Sequence, residues 1–206
     1  MARPTTPLLT RDLVLRTALQ QIDRTGTLGL PALARALGVS TSSLYHHFKG
    51  GRDEVVEGIR GLLCQTSMPS APRPGEDWRQ FTRRWASAYR ASFAAHPAAV
   101  PLMTAQTVSD PATLASYEAL AEVLHDAGFG DELLLHAVTV LDCFVLGSAL
   151  DAGAPVDVWA GDTDLTPTLS RAIEATRAQR GDRSSRSFEL GLDSVLAGLA
   201  LLRAAP

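Results

Sequence analysis

The chain has 206 residues, 46% of them hydrophobic and 20% charged, with a formal charge of −3. That balance excludes a disordered or supercharged protein and leaves room for one large or two small domains with a real hydrophobic core. No apolar run approaches the roughly 18–20 residues of a membrane span, and residues 1–9 lack the apolar centre of a signal peptide. Two cysteines, Cys64 and Cys143, are too few for a disulfide framework or a cysteine-based zinc site. The expectation is a reduced, cytoplasmic globular protein with no membrane partner.

The net charge hides an asymmetry. Residues 1–52 carry seven basic residues (Arg3, Arg11, Arg16, Arg24, Arg35, Lys49, Arg52) against Asp12 and Asp23, a balance of +5, and the rest of the chain stands at −8. A basic head on an acidic body suggests that the head meets a polyanion. Chance fluctuation in a short segment gives the same imbalance.

Helical signals dominate in chain order. Thr10 is placed to cap a first helix, with Asp12 in its first turn, and Val14, Leu15, Ala18, Leu19 and Ile22 recur at helical spacing until Gly26. A short helix follows over 30–37, with Pro31 tolerated in its first turn, then another over 41–48 and a fourth over 52–66. Three prolines between Ser67 and Gly75 mark a linker. Beyond it the spacing predicts a helix over 78–96 with Trp78, Phe81, Trp85, Tyr89 and Phe93 on one stripe. Pro97 closes that region and Pro101 interrupts the next. Further helices are predicted over 111–127, over 131–150 (apolar nearly all round, so covered on more than one face), over 167–180 and over 188–202. The stretches 151–166 and 181–186 read as loops. The predicted class is all-α, divided as 1–52, a connecting helix 53–66, and 67–206.

The most informative segment is Ala34-Arg35-Ala36-Leu37-Gly38-Val39-Ser40 and its flanks. Leu33, Ala34 and Leu37 give a packed face, Gly38 permits a sharp turn, and Val39 and Leu44 fill the angle between two helices. This is the helix-turn-helix design, in which the second helix enters the DNA major groove. Its outward positions would be Thr41, Ser42, Ser43, Tyr45, His46 and His47, all small or hydrogen-bonding. An ordinary αα-hairpin with a polar surface fits the pattern too. Adjacent His46 and His47 diverge by about 100° on a helix, so they do not make a metal site.

The run ALARALGVSTSSLYHHFKGGRDEVVEGI closely resembles the DNA-binding domain of the tetracycline-repressor (TetR) family. Trp78-x-x-Phe81, Ala127-Gly128-Phe129, Phe144-Val145-Leu146-Gly147 and Phe188-Glu189-Leu190-Gly191-Leu192 extend the likeness to the branch containing the tetracycline repressors, over about 190 residues. The resemblance implies a homodimeric repressor that binds a palindromic operator in double-stranded DNA and is released by a small-molecule effector. It makes 41–47 the recognition helix and adds Lys49, with Arg52 as a further backbone contact. Gly29 and Gly51 stand where the family often has Thr and Lys.

On the same resemblance, the effector site would involve Trp85, Tyr89, Met103, Leu135, Val138, Thr139 and Asp142. Met103 stands where the metal-coordinating histidine of the tetracycline pocket would be, and Asp151 where its water-bridging carboxylate would be. A thioether is a poor ligand for magnesium. The expected effector is therefore apolar or aromatic, with no metal or other cofactor. Asp142, on an apolar helix, needs a ligand or a protein partner such as Arg or Ser.

Two other readings remain. An all-α enzyme would use Asp142, Asp151 and a histidine, but no nucleophile motif, phosphate loop or metal set accompanies them. A helix-turn-helix interaction protein without specific DNA binding would suit the loss of contacts at Gly29 and Gly51. Helices 131–150 and 188–202 are expected to form the dimer, with Gly191, Ser194 and Gly198 permitting close approach and Phe188, Leu192, Val195, Leu199 and Leu202 supplying the apolar body.

Overall fold

The computed structural model describes residues 9–65, 68–155, 157–159, 167–177 and 182–203, all α-helix, one 3-10 turn and connections. In the head, α1 (Arg11–Thr25) starts where the Thr10 side chain accepts the Leu13 amide at 3.2 Å, and it ends at Gly26. α2 (Leu30–Leu37) begins at Gly29 with no side-chain cap and carries Pro31 in its first turn. Gly38 then takes φ +68, and the amides of Gly38 and Val39 bond back to Arg35 and Ala34 carbonyls, which turns the chain into α3 (Thr41–His47). Val14, Ala18, Ile22, Leu33, Leu44 and Phe48 bury the common face against Val55, Val56 and Ile59 of α4 (Gly51–Gln65).

The body begins with α5 (Trp78–Ala94), opened by a reciprocal capping box between Asp77 and Gln80. A 3-10 turn, Pro97–Ala99, leads into α6 (Val100–Thr104), so Pro101 sits in the first turn of a helix instead of interrupting one. Then come α7 (Pro111–Asp126), α8 (Asp131–Ala152), α9 (Pro167–Arg177) and α10 (Arg183–Arg203). α8 is central and packs on α5, α7 and α10, while α4 touches both α1 of the head and α7 of the body. Gly61 of α4 makes that second approach possible, because a Cβ there would lie 2.4 Å from the Asp110 carboxylate.

Three expectations need correction. Helix α10 starts at Arg183, so most of the stretch read as a loop is helical: Asp182 accepts the Ser185 amide at 2.9 Å and caps it, and Arg183 and Ser184 bond to Asp151 and Arg90. The 22-residue α8 is long and apolar enough to cross a membrane by length and composition, contrary to the expectation that no run approaches this. Here one face of it builds the core through Ala137, Leu141, Val145 and Ala149. Gly191 serves packing inside the chain, since a Cβ there would lie 2.5 Å from the Phe144 ring, which stacks on Phe188 at 5.5 Å. Residues 66–67, 160–166 and 178–181, parts of the expected linker, loops and helix ends, lie outside the described residues.

Candidate nucleic-acid interface and core site

α3 is held by its own short side chains. Ser40 caps it, accepting the Ser43 amide at 3.2 Å, and its hydroxyl lies 2.8 Å from those of Ser42 and Ser43. Only Leu44 of the helix is buried, which leaves Ser42, Tyr45 and His46 exposed and Thr41, Ser43 and His47 half-exposed on one outer surface. Lys49 is exposed beside them. The seven-residue helix is about 10 Å long at 1.5 Å per residue, a fit to the major groove.

Two structural roles are not visible in the sequence. Gly51 has φ +64, a conformation L side chains rarely adopt, and a Cβ there would lie 3.2 Å from the Tyr45 ring. The residue is glycine because the turn and the ring require it, whatever phosphate contact is lost. Arg11 hydrogen-bonds the His47 carbonyl and Glu54 (2.9 Å), and its guanidinium lies over the Phe48 ring at 4.2 Å, clamping the end of α3 to α4. Glu54 also accepts the Gly50 amide, and this bond, ahead of Arg11, holds its carboxyl below the usual range. Nothing local in the sequence marks a contact spanning 36 residues. Arg52, expected as a phosphate contact, already donates from Nε to the Leu28 carbonyl at 3.3 Å, though its side chain remains exposed.

The body concentrates aromatic and polar groups between α5, α7 and α8. The indole of Trp85 donates to the Ser116 hydroxyl and carbonyl at 3.0 and 3.1 Å, and its ring meets Tyr89 edge-on at 5.0 Å. The Tyr89 hydroxyl lies 2.9 Å from Asp142 Oδ1 and 3.1 Å from the Tyr117 hydroxyl, which itself donates to the same Oδ1. Burial, reinforced by the carboxylate, pushes both phenols well above the ordinary tyrosine range, so they stay protonated donors. Asp142 thus has two tyrosines as partners, not the arginine or serine expected, and Tyr117 is a member of the site that the stripe on α5 did not reveal.

The seven residues named for the effector site divide. Trp85, Tyr89 and Met103 are packed into the interior, Val138 and Asp142 are half-buried, and Thr139 and Leu135 lie outside. Leu135, 70% exposed, cannot wall an enclosed cavity within one chain, which corrects that part of the expectation. Position 103 matters through its backbone: buried Arg60 of α4 donates to the Met103 carbonyl and, at 3.1 Å, to Glu57. Glu57 in turn accepts the amides of Ser109 and Asp110 ahead of α7. Burial pushes the Glu57 carboxyl up, but those amides and Arg60 outweigh it and the net direction is down. The residues present do not fit magnesium: Met103 offers a buried thioether, and Asp151 is paired with Arg183 at 2.7 Å. An open cleft of about 410 Å³ lies elsewhere, between α1, α4 and α5, beside the Asp23–His96 pair at 2.9 Å.

A helix-turn-helix head with an exposed polar second helix, joined by one helix to an all-helical core, defines a DNA-binding transcriptional regulator. The family described as bacterial regulatory proteins, tetR family, matches residues 14–59, and the tetracyclin repressor-like C-terminal domain matches residues 71–203. The chain belongs to the TetR family, whose members are DNA-binding, ligand-binding transcriptional regulators and not enzymes. It is 29% identical over 203 residues to the tetracycline repressor protein class C of Escherichia coli, covering 95% of this chain and 92% of that one. A transcriptional regulator of Saccharopolyspora erythraea is 28% identical over 180 residues, covering 86% and 73%. Among solved structures, apo ActR from Streptomyces coelicolor superposes with a TM-score of 0.77 at 25% identity, covering 96% and 100% of the two chains. ActR in complex with (S)-DNPA gives 0.76 at 25% identity, covering 94% and 98%.

Proposed function

We propose that the chain is a repressor, released from a palindromic operator when a small, largely apolar or aromatic effector enters the body, and that it works in the cytoplasm. Residues 1–52 form the DNA-reading head, 53–66 the connector and 67–206 the effector and dimer unit. The observation that carries this reading is Arg60. One buried guanidinium on the helix that continues from the head grips the backbone at Met103, a residue of the proposed effector site. A shift of α6 on effector binding therefore acts directly on α4 and on the angle of the head. The ActR complex with (S)-DNPA supports a small molecule as the trigger.

The homodimer reading rests on the apolar surface that the single chain leaves uncovered. α8 exposes Val140, Cys143, Gly147 and Leu150, and α10 exposes Leu190, Ser194, Ala197 and Leu201, each series at helical spacing. Two such helices from each protomer make a four-helix bundle with a two-fold axis. Of the apolar body expected for this seam, Phe188, Leu192 and Leu199 are buried within the chain, so the seam belongs to the neighbouring face that includes Leu190 and Leu201. Gly198 has open space beside it, consistent with a close approach there.

The test is a salt-dependent shift assay on DNA upstream of the chain's own coding region. Binding at a near-palindrome with half-sites ~34–36 Å apart, or a multiple of it, is the expected result. Binding no tighter than to random DNA overturns the reading in favour of a non-DNA interaction protein.

A further inference from the structure

The Tyr89–Tyr117–Asp142 cluster is short of protons. Its three oxygens make three contacts at hydrogen-bond distance, yet the two phenols supply only two protons. Both are drawn toward one carboxylate oxygen, Oδ1, and no arginine, lysine or histidine among the described residues forms an ion pair with Asp142. The carboxylate is half-buried and accepts two hydroxyl protons, but it carries its charge with no cation beside it. Aromatic rings pack beside it: Trp85 lies 5.7 Å from Tyr117 and 5.0 Å from Tyr89, with Tyr89 and Tyr117 perpendicular at 6.4 Å. Aromatic faces beside a carboxylate are a setting that favours organic cations.

Access is graded along one face of α8. Asp142 and Val138 are half-buried and Thr139 and Leu135 are exposed, so the carboxylate stands on a helix face that runs from the surface into the core. The charge of −8 on residues 53–206 disfavours an anion there and attracts a cation. No group of three or more His, Cys, Asp or Glu is gathered for a metal among the described residues, so the cation suited to the site is organic.

We propose that Asp142, framed by Tyr117, Tyr89 and Trp85, receives a protonated amine carried by an aromatic effector. The proposal rests on the effector reading above and specifies its chemistry: a flat apolar body with one cationic nitrogen.

Three acridines of one ring size provide the test, titrated calorimetrically into the full-length protein without DNA: cationic 9-aminoacridine, neutral acridine and anionic acridine-9-carboxylate. The expected order is cation, neutral, anion, with the cation ahead of the neutral ring by about tenfold. Asp142→Asn should bring the cation down to the neutral ring while leaving acridine itself unchanged. Tyr117→Phe, which removes one donor from Oδ1, should keep or raise the cation preference, and it decides the matter together with the wild-type order if the asparagine variant does not fold. Equal or reversed order in the wild type, no binding by any of the three, or an unaltered preference in Asp142→Asn overturns the proposal. Operator binding in the shift assay shows separately whether the regulator reading stands when this one fails.

Discussion

The outer face of α3 and the layer between α5, α7 and α8 satisfy their polar groups in opposite ways. On α3, Ser40, Ser42 and Ser43 bond to each other and to an amide three residues away, and the outer surface is left for something else to touch. In the body, Trp85 reaches Ser116, Tyr89 reaches Asp142, and Arg60 reaches Met103, partners 31, 53 and 43 residues apart. A locally built surface can be rigid while remaining free to bind. A core built from distant contacts moves as a unit, because a change at one helix is felt at the next. The first suits reading DNA and the second suits sensing a ligand.

The link between the two regions should break most expensively. Arg60→Met leaves Glu57 partly buried without its cation and the Met103 carbonyl without its donor. The expected loss is roughly 3 kcal/mol in urea unfolding, together with weaker coupling between effector and operator. A loss under about 1 kcal/mol would mean that head and body are joined mainly by apolar packing.

Within the head, Gly51→Ala forces an L side chain into φ +64 and against the Tyr45 ring. Unfolding free energy should fall by about 1–2 kcal/mol, and operator affinity should drop as Tyr45 is displaced. Unchanged stability and unchanged binding would return Gly51 to the role of a missing phosphate contact.

The smallest effect concerns acid. Arg84 holds the Glu76 carboxyl through bonds of 2.6 and 2.7 Å and, with the Arg73 amide, keeps its pKa down at about 2 against an ordinary 4.5. A depressed folded value means that the stabilisation is complete above 4.5 and is lost as the pH falls toward 2. Melting temperature should therefore decline less steeply between those values in Arg84→Met than in the parent. Parallel curves would show that the pair adds nothing to the body.

Legibility in the sequence follows the same division. The cap at Thr10, the turn at Gly38 and the stripe on α5 are signals within one turn or one helix, and the structure has them in place. The exposure of Ser42, Tyr45 and His46 on α3 is equally readable, because residues that bond locally leave a pattern in consecutive positions. Tyr117 and Arg11 are not, since each acts through partners 25 to 43 residues away and sits among neighbours that give no sign of it. The structural role of Gly51 is hidden for a related reason. Its cause is a ring six residues earlier and a turn, and a family comparison at one position shows only what is missing.

If α3 reads the operator while flanking cations fix its register, variants of Tyr45 and Lys49 separate the two roles. Their affinities for the upstream DNA and for random DNA are to be measured across a salt series. Lys49→Ala should weaken both DNAs alike and reduce the salt slope by about one counterion per head. Tyr45→Ala, with His47→Ala as its companion, should cost ~1–3 kcal/mol on the operator and less on random DNA. If all three variants remain folded and bind operator like the parent, another surface reads the DNA and the account of α3 is wrong.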